Sequence, residues 1–105
     1  MMSAAEHLAI PDDSKSVRGG AIKAWRLGSK NMIIKRNAIL RQLAEQIPFD
    51  PTVPWRDLPE KTRNIILYGD PERLFLFRLR RGKRTPEPCI FSGVLADVEY
   101  VYKET

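Results

Sequence analysis

The hydrophobic positions of this 105-residue chain follow a helical period over residues 31–47. The apolar residues at this spacing, which share one face of an α-helix, are Ile33, Leu40, Leu43, Ala44 and Ile47. Ser29 or Asn31 offers a side-chain cap for the start. Pro48 ends the pattern because proline interrupts helical hydrogen bonding. The sequence therefore predicts an amphipathic helix over this range.

A second, shorter helix is predicted by its start and stop signals. Asp57-Leu58-Pro59-Glu60 supplies a capping Asp, a proline for the first turn and an acid near the positive end of the helix dipole. Gly69 is the expected left-handed stop, with Pro71 just beyond it. The buried side of this helix is expected to be formed by Ile65, Ile66 and Tyr68.

The hydrophobic period changes to two in residues 73–92, which is the pattern of a half-buried strand. Arg81-Gly82-Lys83-Arg84 then predicts a turn. Pro88-Cys89-Ile90-Phe91 predicts a returning strand, which the prolines restrict to a sheet edge. We therefore expect an antiparallel β-hairpin. One face of its first strand carries Phe75, Phe77 and Leu79, and the other carries Leu76, Arg78 and Arg80.

The last segment, from Val94 to Tyr102, returns to helical spacing. Together the patterns predict a small α+β fold with a helix pair, a two-stranded antiparallel hairpin and a C-terminal helix. Residues 1–20 are rich in loop formers and are expected to be a flexible lead-in to a single domain over 21–105, which starts with a strand or turn at 21–25. Trp25 and Trp55 are expected to pack in the core. The core that positions the hairpin is expected to contain Ile33, Leu40, Leu43, Ile65, Phe75, Phe77, Val94 and Val98.

The positive charge of the chain is concentrated in the predicted hairpin. Eighteen Lys and Arg residues outweigh 13 Asp and Glu, which gives a net charge of +5 and a pI of about 9.7. Residues 73–84 hold six of these cations and no acid. Because the whole chain carries +5 and this segment +6, the other residues together carry −1. The basic character is therefore a local feature.

An arginine-rich hairpin tip predicts a partner of opposite charge. The planar guanidinium fork suits phosphate oxygens, so we expect contacts to the backbone of a nucleic acid. Two alternatives stay open: the charges only keep a sheet edge from aggregating, or the hairpin docks onto an acidic protein surface. A weaker basic surface, or simply the solvated side of the first helix, is formed by Lys30, Lys35, Arg36 and Arg41. The expected phosphate contacts are Arg78, Arg80, Arg81, Lys83 and Arg84.

The sequence offers little for catalysis or cofactor binding. His7 is the only histidine and lies in the predicted lead-in, so no Ser–His or Cys–His arrangement is expected elsewhere. Cys89 is the only cysteine, which excludes an internal disulfide and a paired-cysteine zinc site. Gly19-Gly20 lacks the Lys-Ser/Thr of a phosphate loop. We therefore expect a non-catalytic domain without a cofactor of its own. The single cysteine is typical of a reducing compartment, so we expect a cytoplasmic protein. Since no apolar run approaches the ~20 residues of a membrane helix, we expect no membrane partner.

Four short blocks of sequence, taken in order, carry a family resemblance. They are Pro11-Asp12-Asp13-Ser14 with Gly20-Ala21-Ile22-Lys23-Ala24-Trp25; Leu40 and Phe49-Asp50 with Val53-Pro54-Trp55-Arg56-Asp57-Leu58-Pro59; Ile66-Leu67-Tyr68-Gly69; and Phe91-Ser92-Gly93-Val94-Leu95 with Tyr102-Lys103-Glu104-Thr105. In order and spacing these blocks resemble UvrA, the A subunit of the bacterial UvrABC excinuclease, over about residues 11–105. The chain departs from that pattern at Tyr100 and Val101, where the family has two arginines.

The resemblance implies a role in nucleotide excision repair. It implies an insertion domain within the first half of an ABC-type ATPase, beside the surface that binds double-stranded DNA. The ATP and zinc sites of that family, and the elements that bind its UvrB partner, lie outside the matched residues. We therefore expect a DNA-contacting domain that is itself non-catalytic and that packs against other domains of its parent ATPase. The alternative is a protein-interaction module whose basic hairpin docks an acidic partner or a neighbouring ATPase domain.

Overall fold

The computed structural model of the chain describes residues 4–78 and 85–96. It has the expected α+β composition, with helices and one two-stranded antiparallel sheet. Short 3₁₀ turns occur at Lys23–Arg26 and Trp55–Asp57. The regular elements in chain order are α1 (Ala4–Ala9), α2 (Lys30–Gln46), α3 (Glu60–Tyr68), β1 (Leu74–Phe77) and β2 (Glu87–Ile90).

Helix α2 forms where the sequence predicts it, and Ser29 is its N-cap. The Ser29 hydroxyl accepts the Met32 N–H at 3.3 Å. At the other end the Ile47 N–H donates to the Leu43 carbonyl at 2.9 Å, directly before Pro48. The polar cap and the proline therefore set the two ends of the helix as expected.

The buried stripe of α2 differs from the predicted one at its N-terminal end. Leu43 and Ile47 are buried and Leu40 packs against the core, but Ile33 is half-exposed and lies outside the core cluster. The position that continues the stripe one turn before Leu40 is Arg36, whose side chain is 6% exposed. At this end of α2 the side chain that points into the core is therefore Arg36, through its long aliphatic stem, and not Ile33 as predicted.

Helix α3 begins at Glu60, and its N-cap lies two residues after the predicted one. Asp57 lies inside the second 3₁₀ turn and Pro59 is the N-cap, without a side-chain hydrogen bond. The prediction that Asp57 caps α3 is therefore wrong, because the extended backbone at Pro59 (φ −55°, ψ 142°) separates the turn from the helix. Glu60 does occupy the first turn, where its charge faces the positive end of the dipole.

The buried face of α3 also shifts by one residue from the predicted face. Ile66 and Leu67 are buried and Ile65 packs against the core. Tyr68, predicted as buried, is 53% exposed, and its hydroxyl hydrogen-bonds the Glu6 carboxylate of α1. Tyr68 therefore connects two helices through its polar end instead of filling the core.

The predicted hairpin is confirmed within the described residues. Strands β1 and β2 pair antiparallel with Leu74 opposite Ile90 and Phe77 opposite Glu87. Phe75 and Phe77 point into the core, as the period of two requires. They join a cluster of rings in which Phe91 lies edge-on to its neighbours. The ring centroids are 6.1 Å from Trp25, 6.2 Å from Phe75 and 6.5 Å from Phe77.

Both tryptophans are buried, as expected, with Trp25 4% and Trp55 2% exposed. The stretch 21–25 resolves into a turn, since the Trp25 N–H donates to the Ile22 carbonyl. Of the other predicted core residues, Val94 is buried, and Val98 lies outside the described ranges. Residues 94–96 are helical, and the rest of the predicted C-terminal helix is also outside them.

The N-terminal segment contributes to the same core. Ala9, Ile10 and Val17 are buried. The backbone of residues 13–18 hydrogen-bonds the proline-rich loop 51–56: Trp55 N–H to the Lys15 carbonyl (2.9 Å), Arg56 N–H to the Asp13 carbonyl (3.1 Å) and Arg18 N–H to the Pro51 carbonyl (2.9 Å). The division into a flexible lead-in over 1–20 and a domain over 21–105 stays a prediction.

Candidate nucleic-acid interface

The hairpin presents Arg78 directly after β1. The outward residues of this strand, Leu74 and Leu76, are exposed, and Arg78 follows two positions later, also exposed. Arg78 is the only predicted phosphate contact within the described residues. The four others, Arg80, Arg81, Lys83 and Arg84, lie outside them, so their placement stays a prediction.

Helix α2 fixes the position of β1 through two glutamine side chains one turn apart. Gln46 accepts the Leu76 N–H at 2.9 Å and donates to the Leu76 carbonyl at 2.8 Å. Gln42 likewise accepts the Arg78 N–H at 2.8 Å and donates to the Arg78 carbonyl at 3.3 Å. Each amide thus supplies the donor and acceptor that a neighbouring strand would supply. The outer edge of β1 is therefore satisfied by a helix.

This arrangement explains how β2 tolerates a proline. Leu76 is paired with Pro88 in the register, and Leu76 uses both of its backbone groups on Gln46. The pair is therefore a non-hydrogen-bonded one, and the missing N–H of Pro88 removes no bond between the strands.

A groove runs between α2 and the hairpin, with a cation on each side. Its volume is about 440 Å³, and Arg41 of α2 and Arg78 both line it. One carboxylate, Glu45, also lies in its wall. Neither arginine forms an ion pair within the part of the chain that the structure describes. Among the described residues, both guanidinium groups are therefore available to an anionic ligand along this groove.

Arg73 belongs to the basic segment of the sequence but has a structural role. Its guanidinium donates to the Gln46 carbonyl at 2.6 Å and lies 4.7 Å from the centre of the Phe75 ring. A cation at the last carbonyls of a helix opposes the negative end of the dipole. Arg73 therefore joins the end of α2 to β1.

One of the four residues of the weaker basic surface predicted on α2, Arg36, does not lie on the surface. Lys30, Lys35 and Arg41 are exposed, whereas Arg36 is buried. The Arg36 guanidinium donates to the Leu27 carbonyl at 3.0 Å and lies 6.0 Å from the Trp25 ring. Arg36 therefore holds the first 3₁₀ turn against α2, and it is not a surface cation.

Two further arginines, Arg18 and Arg26, join Arg41 at a second groove. Arg18 and Arg26 are not among the site residues predicted from the sequence. Neither lies in a basic run, and Arg18 and Arg41 are far apart in sequence. Only the pairing of loop 13–18 with loop 51–56, and the packing of the first 3₁₀ turn on α2, brings the three together.

Other chemistry-bearing groups have local structural roles. The Asp12 carboxylate accepts from the Ser14 hydroxyl and N–H, and these bonds hold the pKa of Asp12 below its ordinary 3.8. Thr52 lowers the pKa of Asp50 in the same way. Cys89 is half-buried, and its Sγ lies 3.4 Å from the Glu87 carbonyl.

No group of three or more His, Cys, Asp and Glu residues suited to a metal occurs within 4–78 and 85–96. No helix in those ranges is long and apolar enough to cross a bilayer.

Comparison with known proteins gives one consistent family. A family model described as the UvrA DNA-binding domain matches residues 6–105. The UvrABC system protein A of Clostridium perfringens is 30% identical over 105 residues, which cover 100% of this chain and 11% of that protein. Its counterpart in Deinococcus radiodurans is 35% identical over 97 residues, covering 91% and 10%. The crystal structure of UvrA2 from Deinococcus radiodurans superposes with a TM-score of 0.63 at 26% identity, covering 95% of this chain and 13% of that one. The chain thus spans about a tenth of the length of the curated relatives it matches.

Proposed function

The chain belongs to the UvrA DNA-binding domain family, and we propose that it contacts the phosphate backbone of duplex DNA without reading base sequence. In this proposal it is a non-catalytic part of a nucleotide excision repair ATPase. The observation that carries the proposal is the family match over residues 6–105, which includes the whole hairpin.

The distribution of charge supports a backbone contact. The segment 73–84 holds six cations and no acid, while the rest of the chain carries −1. Arg41 and Arg78 have no ion-pair partner in the described ranges, and the groove that they line contains two cations and one carboxylate, Glu45. Guanidinium groups favour phosphate oxygens, which are the same at every base pair. The expected result is binding without sequence preference.

The support of the hairpin by α2 favours the same function. Four hydrogen bonds from Gln42 and Gln46 hold the backbone of Leu76 and Arg78 at the point where the strand leaves the core. A basic arm that starts from a fixed point presents its charges in one direction. We propose that Arg78 is the first phosphate contact, with Arg80, Arg81, Lys83 and Arg84 following it.

The remaining properties of the parent protein belong to the same proposal. They are the ATP and zinc sites of the parent, its UvrB partner, its double-stranded DNA substrate and a cytoplasmic location. We propose that this chain supplies none of the ATPase chemistry, and that it packs against other domains of the parent ATPase.

The test is a fluorescence titration of the 105-residue chain with two labelled duplexes of unrelated sequence. We expect equal affinities, on the order of 10⁻⁴–10⁻⁶ M, because only backbone charge is read. A variant that combines Arg80→Glu, Arg81→Glu and Arg84→Glu is expected to fold normally and to lose binding to both. A matched variant with Lys15→Glu, Lys23→Glu and Lys61→Glu, all exposed lysines away from the hairpin, is expected to retain most of it. Absence of binding by the unaltered chain at low salt would refute the proposal.

A second candidate function rests on the outward face of the hairpin. Leu74, Leu76 and Ile90 are 63%, 49% and 60% exposed, which is unusual for neighbouring apolar residues on a sheet. Such a face favours a protein surface as partner, either an acidic protein or a neighbouring ATPase domain. A chain that ignores DNA but binds a separately prepared ATPase domain, and loses that binding on Leu74→Ser with Leu76→Ser, would favour this function.

A further inference from the structure

A second basic groove shares Arg41 with the groove beside the hairpin. It is about 450 Å³ in volume and opens between the 17–26 segment and α2. Arg18, Arg26 and Arg41 line it together with Asn37, and no carboxylate of the described ranges does so. Its apolar wall is formed by Val17, Leu40, Ala44 and Pro51.

The three arginines are brought together by the fold. Arg18 is held through its N–H, which donates to the Pro51 carbonyl at 2.9 Å. Arg26 ends the first 3₁₀ turn, and its side chain packs over Gly20, where a Cβ would lie 3.2 Å from the Arg26 Cδ. Arg41 lies on the rigid helix α2. Three separate segments thus place cations around one concavity, and a cleft lined by charges of one sign attracts ions of the opposite sign.

The carboxylate of Asp50 does not form an ion pair with Arg18 of this groove. Asp50 lies close enough to Arg18 for the positive charge to contribute to its lowered pKa, after the stronger effect of Thr52. The Asp50 Oδ1 atom accepts both the hydroxyl and the N–H of Thr52. Arg18 forms no ion pair with Asp50 or any other acid among the described residues. Within 4–78 and 85–96, the guanidinium groups of Arg18, Arg26 and Arg41 form no ion pair, so their donors are available to an anion.

Arg41 lines both grooves and so connects them. It lines one groove together with Arg18 and Arg26, and the other together with Arg78 at the base of the hairpin. We infer that Arg18, Arg26 and Arg41 form a second phosphate-binding site, and that a DNA backbone held by the hairpin continues over α2 into this groove. The inference rests on the proposed function and extends it to residues outside the basic hairpin.

The experiment compares the salt dependence of duplex binding for matched variants of the 105-residue chain. The groove variant combines Arg18→Gln, Arg26→Gln and Arg41→Gln. The hairpin variant combines Arg80→Gln, Arg81→Gln and Arg84→Gln. The control combines Lys15→Gln, Lys23→Gln and Lys61→Gln, which removes the same charge from exposed positions outside both grooves. Thermal unfolding of each variant checks that it folds.

The slope of log affinity against log salt is negative, and each lost phosphate contact makes it less steep by about 0.9. The groove variant is expected to lose about two to three such steps, the single Arg41→Gln variant about one, and the control less than one. Because the substituted side chains of the groove variant and of the control are exposed, both variants are expected to keep the unfolding temperature nearly unchanged.

The outcomes separate the inference from the proposed function. If the groove variant matches the control while the hairpin variant weakens binding, the inference is wrong and the proposed function stands. If the unaltered chain binds no DNA, both fall. Polyglutamate serves as a probe for an acidic protein segment. If the groove variant keeps the DNA slope of the unaltered chain but loses the binding to polyglutamate that the unaltered chain shows, the groove binds an acidic protein segment, which also overturns the inference.

Discussion

Gly69 and Gly93 meet where two backbone segments cross in direct contact. A Cβ on Gly69 would lie 2.1 Å from the Phe91 carbonyl oxygen, and one on Gly93 would lie 2.4 Å from the Leu67 carbonyl oxygen. Both residues have positive φ, +77° and +89°. The Asp70 N–H donates to the Phe91 carbonyl at 3.2 Å beside the crossing. The end of α3 and the segment after β2 therefore lie backbone against backbone at this crossing.

Alanine at either glycine is expected to destabilise the fold strongly. The positive φ costs about 1 kcal/mol or more, and the Cβ clash with rigid backbone adds to it, for a total of about 3 kcal/mol or more. Chemical denaturation of Gly69→Ala and Gly93→Ala measures this loss. Gly28→Ala is the matched control, because Gly28 has φ +106° but its nearest atom is 3.6 Å away. Equal losses at Gly28 and Gly69 would contradict the crossing.

Removing the glutamine amides is expected to free the outer edge of β1. Gln46→Ala and Gln42→Ala should each cost about 1 kcal/mol, since solvent replaces the lost bonds in part. The sharper readout is hydrogen exchange, in which the Leu76 amide should exchange faster in Gln46→Ala and the Arg78 amide faster in Gln42→Ala. Glu45→Ala, an exposed residue of the same helix, is expected to change neither amide. Unchanged exchange in all three variants would contradict this support of the strand.

Arg73 and Arg78 are expected to give opposite results although both belong to the basic segment. Arg73→Gln removes the bond to the Gln46 carbonyl and the contact with the Phe75 ring, so stability should fall by about 1 kcal/mol with little change in the salt slope of DNA binding. Arg78→Gln should leave stability unchanged and reduce the slope by about 0.9. Denaturation and a salt titration on the same two proteins test this contrast, and a reversed pattern would refute it.

Acid stability is expected to depend on Asp12 and Asp50. Hydrogen bonds from Ser14 and Thr52 hold both pKa values below 3.8 in the folded chain, so the unfolded chain binds protons first as pH falls. The stability from these carboxylates is full above pH about 4 and is lost as pH falls through their folded pKa values. Unfolding curves between pH 2 and about 6 should therefore flatten in Asp12→Asn with Asp50→Asn. An unchanged acid limb in that variant would exclude this cause.

Local sequence signals predicted the elements that local interactions determine. The Ser29 cap, the Pro48 stop and the alternation of Phe75 and Phe77 are each set by neighbours within one turn or one pleat, and all were confirmed. Asp57 was misassigned as a cap because Pro59 imposes an extended backbone between it and α3. The capping preference of Asp57 does not indicate that an extended residue separates it from the helix.

Features that depend on distant contacts were not predictable from the sequence. Arg36 is buried because Trp25 and the Leu27 carbonyl lie over it, and no spacing rule places an arginine in a core. The use of Gln42 and Gln46 as strand partners needs the position of β1, about 30 residues later in the chain. The meeting of Arg18, Arg26 and Arg41 requires loop pairing that hydrophobic period does not encode.

The most direct test of the central claim is the salt dependence of duplex binding by the unaltered chain. If about four cations of the hairpin contact phosphates, these contacts contribute roughly −3.6 to the slope of log affinity against log salt. The Arg80→Gln, Arg81→Gln, Arg84→Gln variant should make the slope less steep by about 2.7, which is about 0.9 for each arginine removed. A flat salt dependence, or a slope that the hairpin variant leaves unchanged, would contradict the assignment of this arginine-rich hairpin to the DNA backbone.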